Sequence, residues 1–278
     1  MAAAAMVLIA GAALIAPSLV SRDTGVGSAS AGEVLEAAAL SADDRLVQPG
    51  QFLYVLQYSR WSSSDSEYRY LYLEDQTLET WIPAARGDVW LHRRTNTGNK
   101  QFLLGSEQDV PKFDPPLRED VEWRAAGGAW LGDERPVSFR SPSPEYVAAL
   151  PREPRALYEK MRSEAGGDEG RLLLQMITEG LGSGLYPADA RAAVYQALTF
   201  VPRLEVVDRT AVLDSRTGTA LGVTDGDVTV QIVINQDTGD YLGSRAVQAR
   251  DAHGLKAGQV LSTTAITTRV VAALGAQS

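Results

Sequence analysis

Histidine and cysteine are the residue types that most often act as metal ligands, nucleophiles or proton carriers, and this chain has few of them. It contains two histidines, His92 and His253, and no cysteine. The lack of cysteine excludes a thiolate metal site, a cysteine nucleophile and a disulfide scaffold. His92 stands in a predicted strand and His253 in a polar turn, and we interpret both as structural histidines. The sequence therefore predicts no metal site.

Two short segments resemble known functional motifs but lack residues that those motifs require. Gly182-Ser183-Gly184 has the centre of a nucleophile elbow, but Leu181 replaces its first glycine and the segment joins two predicted helices. The turn at 235–240 offers three oxygen ligands, whereas a calcium loop needs about six. We interpret the first segment as a helix-capping loop and the second as a hairpin turn.

Neighbouring carboxylates do not indicate an acid–base pair either. Asp43-Asp44 and Glu119-Asp120 lie in predicted loops, where charged residues are simply solvated. We therefore predict no catalytic residue, no enzymatic activity and no cofactor.

Aromatic residues are concentrated in the first group of predicted strands, at 51–60, 67–75, 78–83 and 88–94. These strands have apolar residues on both faces, so both faces need a cover. One cover is expected to be helices. The other could be an apolar ligand, a second β layer or a protein partner, and a plain core is the competing interpretation. The candidate residues for an apolar ligand or partner face are Tyr54, Tyr58, Tyr70, Trp81 and Trp90.

The composition is that of a folded, acidic protein. Hydrophobic residues make up 45% of the chain and charged residues 22%, and the net charge is −9. An acidic chain without a basic block is poorly suited to binding a phosphate backbone, so we expect no nucleic-acid partner.

The first residues predict a membrane as a partner. Met1–Val20 carries no charge, and as a helix it would reach roughly 30 Å, the thickness of a bilayer core. A signal peptide would start with a basic region, which is missing, so we favour a retained anchor over 1–22. The abrupt apolar start suggests that an upstream cytoplasmic piece is lacking. We place 23–45 as a tether with a capped helix and 46–278 as a domain outside the cytoplasm.

The rest of the chain predicts an α+β fold in which one antiparallel sheet is built from two β-rich parts. A capping box at Ser30 and Glu33 begins a helix that runs to about Leu40. The first β part covers 46–140 and becomes irregular after 105, with short strands near 121–124 and 137–140 and turns at 76–77 and 97–99. Helices are predicted at 154–164, 169–181 and 187–200, followed by six strands between 203 and 270.

Several segments in order carry a resemblance to a known family. They are S-A-G-E-V-L-E-A-A-A from Ser30, P-G-Q-F-L-Y-V from Pro49, E-T-W-I-P from Glu79, P-A-D-A-R-A-A-V-Y-Q-A-L from Pro187 and V-x-V-x-I-x-x-x-x-D-T-G-D-Y-L-G-S from Val228. Together they resemble a family of uncharacterised actinobacterial single-pass membrane proteins, often encoded beside sigma-factor genes. The resemblance covers about Ala29 to Gln248. Members begin with an acidic, arginine-rich cytoplasmic segment, which this chain lacks.

The resemblance implies a function but transfers no catalytic residue. The outer domain is similar in pattern to the half-open barrels of envelope lipoprotein carriers and of periplasmic regulators of anti-sigma factors, in which a curved antiparallel sheet wraps helices. The resemblance implies a membrane-anchored, single-pass sensor or regulator outside the cytoplasm, linked to a sigma-factor system. Such a protein would bind an apolar ligand or a regulatory protein. The alternative is an envelope lipid or lipoprotein carrier.

Overall fold

The chain folds as an α+β protein with one open antiparallel sheet. The computed structural model describes residues 29–112, 119–129 and 136–278. Its helices are α1 Ala31–Ser41, α2 Pro144–Ala149, α3 Pro154–Glu164, α4 Arg171–Gly182 and α5 Ala188–Leu198. Its strands are β1 Phe52–Ser64, β2 Leu71–Pro83, β3 Val89–Leu104, β4 Val121–Ala126, β5 Glu205–Leu213, β6 Arg216–Asp225, β7 Val228–Asn235, β8 Asp240–Gln248 and β9 Val260–Val271.

The nine strands form a single sheet in the order β4-β3-β2-β1-β9-β8-β7-β6-β5, and every neighbouring pair is antiparallel. The strands before and after the helices meet where β1 pairs with β9, from Phe52 opposite Val271 to Arg60 opposite Thr263. The sheet does not close into a barrel, because β4 and β5 are its two edges.

The helices lie on one face of the sheet, which we call the inner face. Alternation along the strands sends Val55, Ile82 and Trp90 into the main hydrophobic core, which they share with buried residues of the helices. Helix α4 contacts β6, β7 and β8, while α1 and α3 both pack on α5. The largest core therefore lies between the inner face and the helices.

The outer face is covered in part by the chain itself. Leu274 and Ala276, which follow β9, pack on a cluster that contains Tyr54 and Trp81. Farther along the sheet, Leu255 in the connection between β8 and β9 packs on leucines of β2. Short local segments thus supply the second cover that the apolar strand faces require.

The helices predicted from local pattern are confirmed. Ser30 caps α1, with its Oγ accepting a hydrogen bond from the Glu33 amide at 3.3 Å, and the Glu33 carboxylate accepts one from the Ser30 amide. The predicted helices at 154–164, 169–181 and 187–200 correspond to α3, α4 and α5.

Other local predictions are wrong. The predicted turns at 76–77 and 97–99 lie inside strands β2 and β3, because ladder pairing and β-bulges carry these polar residues through the sheet. The segment 137–140 is not a strand, since Phe139 is packed in the helical core. A short helix, α2, lies where the prolines predicted irregular chain, because Ser143 caps it and Pro144 occupies its first position.

In the part of the chain that the structure describes, no helix is long and apolar enough to cross a membrane. The predicted anchor at Met1–Val20 lies outside the described residues.

Candidate functional site

Three of the five aromatic candidates lie on the outer face of the sheet. Tyr54 and Trp81 pack against each other with ring centroids 5.1 Å apart, and both are fully buried. The Trp81 indole donates a hydrogen bond to the carbonyl of Ala276 at 2.5 Å, and the Tyr54 hydroxyl donates one to Glu79 at 2.7 Å. Tyr58, half-buried on the same face, donates to Asp75 at 2.8 Å, and burial with this contact raises its pKa to about 12.

The other two candidates lie elsewhere. Tyr70 precedes β2, is buried, and stacks on Tyr72 with ring centroids 6.0 Å apart. Trp90 lies on the inner face, where its indole donates to the carbonyl of Arg86 at 2.8 Å. The structure therefore does not bring the five aromatic residues together on one surface, and Trp90 alone among them borders an open cleft.

This cleft has a volume of about 590 Å³, within the range of roughly 300–1,000 Å³ typical of small-molecule sites. The inner face of the sheet forms its floor, and helix α4 with the segment 140–142 forms its roof. Trp61 and Trp90 contribute aromatic surface to its lining. It lies beside the main core rather than inside it, and at this position the inner face of the sheet changes from apolar to polar.

Strand pairing builds the polar floor. Ser59 of β1 lies opposite Gln76 of β2 and Thr264 of β9, Gln76 lies opposite Asn96 of β3, and Thr264 lies opposite Ser244 of β8. These five residues form a continuous line across five strands, which we call the polar row. All except Asn96 line the cleft.

The polar row is held in place by its own hydrogen bonds. The Ser59 and Thr264 hydroxyls lie 3.1 Å apart, and the Gln76 amide donates to Asn96 at 2.9 Å. Ser59 is only 4% exposed and Gln76 only 7%. Burying polar groups is unfavourable unless they find partners, and these hydrogen bonds supply partners to a polar line that lies where a sheet normally carries apolar residues.

The roof adds further polar groups along one side of α4. Gln175, Thr178 and Glu179 line the cleft, and Glu179 forms an ion pair with Arg140 at 2.7 Å. Arg171, at the start of the helix, pairs with Asp225 at 3.4 Å. The charged groups of the roof are thus matched in pairs, which leaves the cleft without a strong net charge.

His92 closes the cleft on the β3 side. Its ring stacks on Trp123 with centroids 4.6 Å apart, and its Nδ1 lies 3.1 Å from the Thr80 hydroxyl. Burial lowers its pKa to about 4, although a hydrogen bond with the Gly128 backbone opposes this shift. His92 is therefore neutral near pH 7 and adds no charge to the cleft.

The segment between α4 and α5 separates this cleft from a smaller cavity of about 300 Å³ near the end of α1. Gly182 borders the cleft and Gly184 borders the smaller cavity. Ser183 ends α4, where its amide donates to the carbonyl of Gly180 at 3.0 Å, and its hydroxyl accepts a hydrogen bond from the Leu185 amide at 3.2 Å. The arginines of the smaller cavity are engaged in structural contacts, such as Arg191 with the carbonyl of Tyr186 at 2.9 Å.

The remaining residues considered for chemistry lie apart from one another. His253, in the β8–β9 connection, stacks on Tyr68 with ring centroids 4.8 Å apart and is exposed, whereas His92 is buried on the inner face of β3. The turn at 235–240 joins β7 to β8 as a hairpin, as predicted. Among residues 29–112, 119–129 and 136–278, no group of three or more potential metal ligands is found.

Sequence reasoning missed the polar row. Its only local signal is in β1, where the residues on the inner face change from Leu53 and Val55 to Gln57 and Ser59. The partners of Ser59 come from strands distant in the sequence, so no local pattern could have joined them.

Comparisons of the sequence with protein-family models and with curated proteins find no match. The cleft is therefore the feature from which a function can be inferred.

Proposed function

We propose that this protein is a non-enzymatic binding protein of the cell envelope, a membrane-anchored sensor or regulator linked to a sigma-factor system, which receives its ligand in the cleft. The observation that carries the proposal is the cleft itself, with a volume of about 590 Å³ and a floor of ordered polar side chains. The membrane anchor and the position outside the cytoplasm rest on Met1–Val20 and on the family resemblance.

We further infer that the sheet curves as a half-barrel around the cleft. His92 of β3 and Val230 of β7 border the same cleft, although four strands lie between β3 and β7. In a flat sheet these strands would be about 24 Å apart, since neighbouring strands are spaced by about 4.8 Å. A curved sheet brings them within reach of one ligand, which supports the similarity to the half-open barrels of envelope proteins.

The proposal is tested by native mass spectrometry of the full chain released from membranes, followed by organic and aqueous extraction. We expect a small molecule retained by the wild-type protein and lost in Ala246→Trp, because Ala246 lines the cleft and an indole there would fill it. Ala257→Trp, in an exposed turn, is the matched control and should retain the molecule. Equal retention by both variants, or no retained molecule in any of the three proteins, would contradict the proposal.

The second candidate function is a carrier of lipids or lipoproteins. It is favoured by the open sheet, whose edge strands β4 and β5 do not pair, so that cargo could enter and leave between them. A carrier moves its cargo between membranes, whereas a sensor keeps its ligand and changes its partner contacts. Transfer of a labelled lipid from donor to acceptor vesicles, abolished by Ala246→Trp, would support the carrier. Ligand retention without transfer supports the sensor.

A further inference from the structure

We infer that the cleft binds a neutral carbohydrate, one to a few sugar units, rather than an acyl chain or an ion. This inference rests on the proposed function, since it names the chemical class of the ligand. It depends on the polar row, on the charge balance of the roof and on the exposed tryptophan of the lining.

The floor offers hydroxyl and amide groups in the combination that sugar hydroxyls match. Ser59, Thr264 and Ser244 lie in line along the floor. Thr264 and Ser244 are partly exposed, and a hydroxyl can both donate and accept a hydrogen bond. Gln57 lies beside this line, and within the described residues its amide group has no hydrogen-bond partner. A ligand with several adjacent hydroxyls would satisfy these groups together.

An acyl chain would leave unused the hydrogen-bonding capacity that these groups keep beyond their mutual contacts. Removing a hydroxyl or amide from water without giving it a new hydrogen-bond partner is unfavourable. Such a ligand would cover the Gln57 amide with hydrocarbon and would displace water from the Ser59 and Thr264 hydroxyls, each of which can form a further hydrogen bond. The polar floor therefore disfavours the apolar ligand that the aromatic residues suggested.

The charges of the lining disfavour an ionic ligand. Arg140 is paired with Glu179, Arg171 with Asp225 and Arg245 with Asp208. His92 is neutral near pH 7. A phosphate or carboxylate ligand would have to compete with one of these carboxylates for its arginine. A neutral ligand requires no such exchange.

Trp61 supplies the apolar contact that sugar rings use. It lines the cleft, and it is 39% exposed, which is unusual for a residue of its size. The C–H face of a sugar ring is apolar and flat enough to lie on an indole, while its hydroxyls point sideways. Trp61 of β1 is two residues from Ser59, so both side chains are on the inner face.

A peptide is less well matched than a sugar. An extended peptide binds a sheet chiefly through backbone hydrogen bonds along a free strand edge. The floor consists of central strands, whose backbone groups are already used in the ladders with their neighbours. Only side chains are presented to a ligand there.

The test is binding of the fluorescently labelled full chain to a printed array of neutral and acidic oligosaccharides, together with titration of a fluorescent fatty acid. We expect binding to one or more neutral glycans and at least about a tenfold loss of affinity in the double variant Ser59→Ala/Thr264→Val. Because this variant removes both hydroxyls of one hydrogen-bonded pair, it should fold with little loss of stability. Trp61→Ala should weaken binding of the same glycans.

Thr267→Val provides the matched control. Thr267 is on the same strand as Thr264 but on the outer face, opposite Leu56. It should leave glycan binding unchanged. The inference is overturned if no neutral glycan binds, if acidic glycans bind more tightly, or if the double variant binds glycans like the wild type. Fatty-acid binding that Ala246→Trp abolishes, without glycan binding, would overturn the carbohydrate inference and leave the proposed binding function standing.

Discussion

At the scale of single residues, burial decides what each side chain can do. Tyr54 and Trp81 looked like a surface for a ligand, but both are enclosed by the outer-face cluster and held by hydrogen bonds to Glu79 and Ala276. Ser59 and Thr264 match no functional motif in the sequence, but in the structure their hydroxyls contact each other on the floor of the cleft. His92 is the residue at which burial has the clearest measurable consequence.

We predict that His92 makes the fold less stable in acid. Its pKa is lowered to about 4 from an ordinary 6.5, so the unfolded chain binds this proton at a higher pH than the folded chain. Its contribution to stability is fully present above pH 6.5 and is lost as the pH falls toward 4. Between pH 7.5 and 4.5 the loss is on the order of 2 kcal/mol.

The check is urea unfolding at both pH values for three proteins. His92→Gln should lose less stability on acidification than the wild type, by about that amount, because the variant lacks the imidazole that the unfolded chain protonates first. Thr80→Val keeps the imidazole but removes the hydroxyl beside its Nδ1. Its free energy of unfolding should be lower than that of the wild type at both pH values, and the loss between the two pH values should equal that of the wild type. An unchanged acid loss in His92→Gln would refute this account.

At the scale of elements, the approach of the α4–α5 connection to β1 positions the roof of the cleft over its floor. Gly184 adopts φ +72°, and a Cβ at this position would lie 2.6 Å from Cγ2 of Val55. Glycine is required there both for the left-handed backbone and for the close packing. Any side chain would push the connection away from the sheet and widen the separation between α4 and β1.

We predict that Gly184→Ala costs more stability than its backbone conformation explains. Gly98 is the matched control: it has φ +73°, and a Cβ added there would meet no atom within 4 Å, so Gly98→Ala should cost only about 1–2 kcal/mol. Gly184→Ala should cost at least about 1 kcal/mol more, from the clash. In a double-mutant cycle measured by thermal unfolding, Val55→Ala should recover part of this excess. Equal costs at the two glycines would show that the close contact is unimportant.

At the scale of the whole molecule, the sheet is covered differently on its two faces. Helices form the main core on the inner face, whereas the outer face depends on short segments such as the residues after β9. The Gln277 side-chain amide donates to Glu79 at 2.5 Å, next to the contact between Trp81 and Ala276. This C-terminal segment is therefore part of the fold, on the side opposite the cleft.

We predict that deleting 274–278 destabilises the protein by about 2–4 kcal/mol. The outer-face cluster would lose the apolar contact of Leu274, and the Trp81 indole would lose its hydrogen-bond acceptor, the carbonyl of Ala276. Trp81 should become hydrated, and its fluorescence should shift to longer wavelength. Deleting Ser278 alone is the control and should change neither property. Ligand retention in the cleft should survive the longer deletion, since the segment lies on the other face; its loss would mean that the two faces are coupled.

The sequence by itself determined the features that arise from neighbouring residues. Ser30 and Glu33 begin α1, the apolar spacing gives α4, and the turn at 235–240 joins β7 to β8, because caps, helical periodicity and tight turns act over a few residues. The same reasoning gave the acidic character of the chain. It failed at residues 76–77 and 97–99, where pairing with distant strands outweighed local turn preference.

Only the tertiary structure decided where the cleft lies. The polar row joins Asn96, Gln76 and Ser59 from the first β part to Ser244 and Thr264 from the last, across the β1–β9 pairing. Whether a strand residue faces a cleft or the core depends on register and on what packs above it, and neither is encoded in the residues beside it. The aromatic residues of the first strands were visible in the sequence, but the burial of Tyr54 and Trp81 beneath the chain's own C-terminal segment was not.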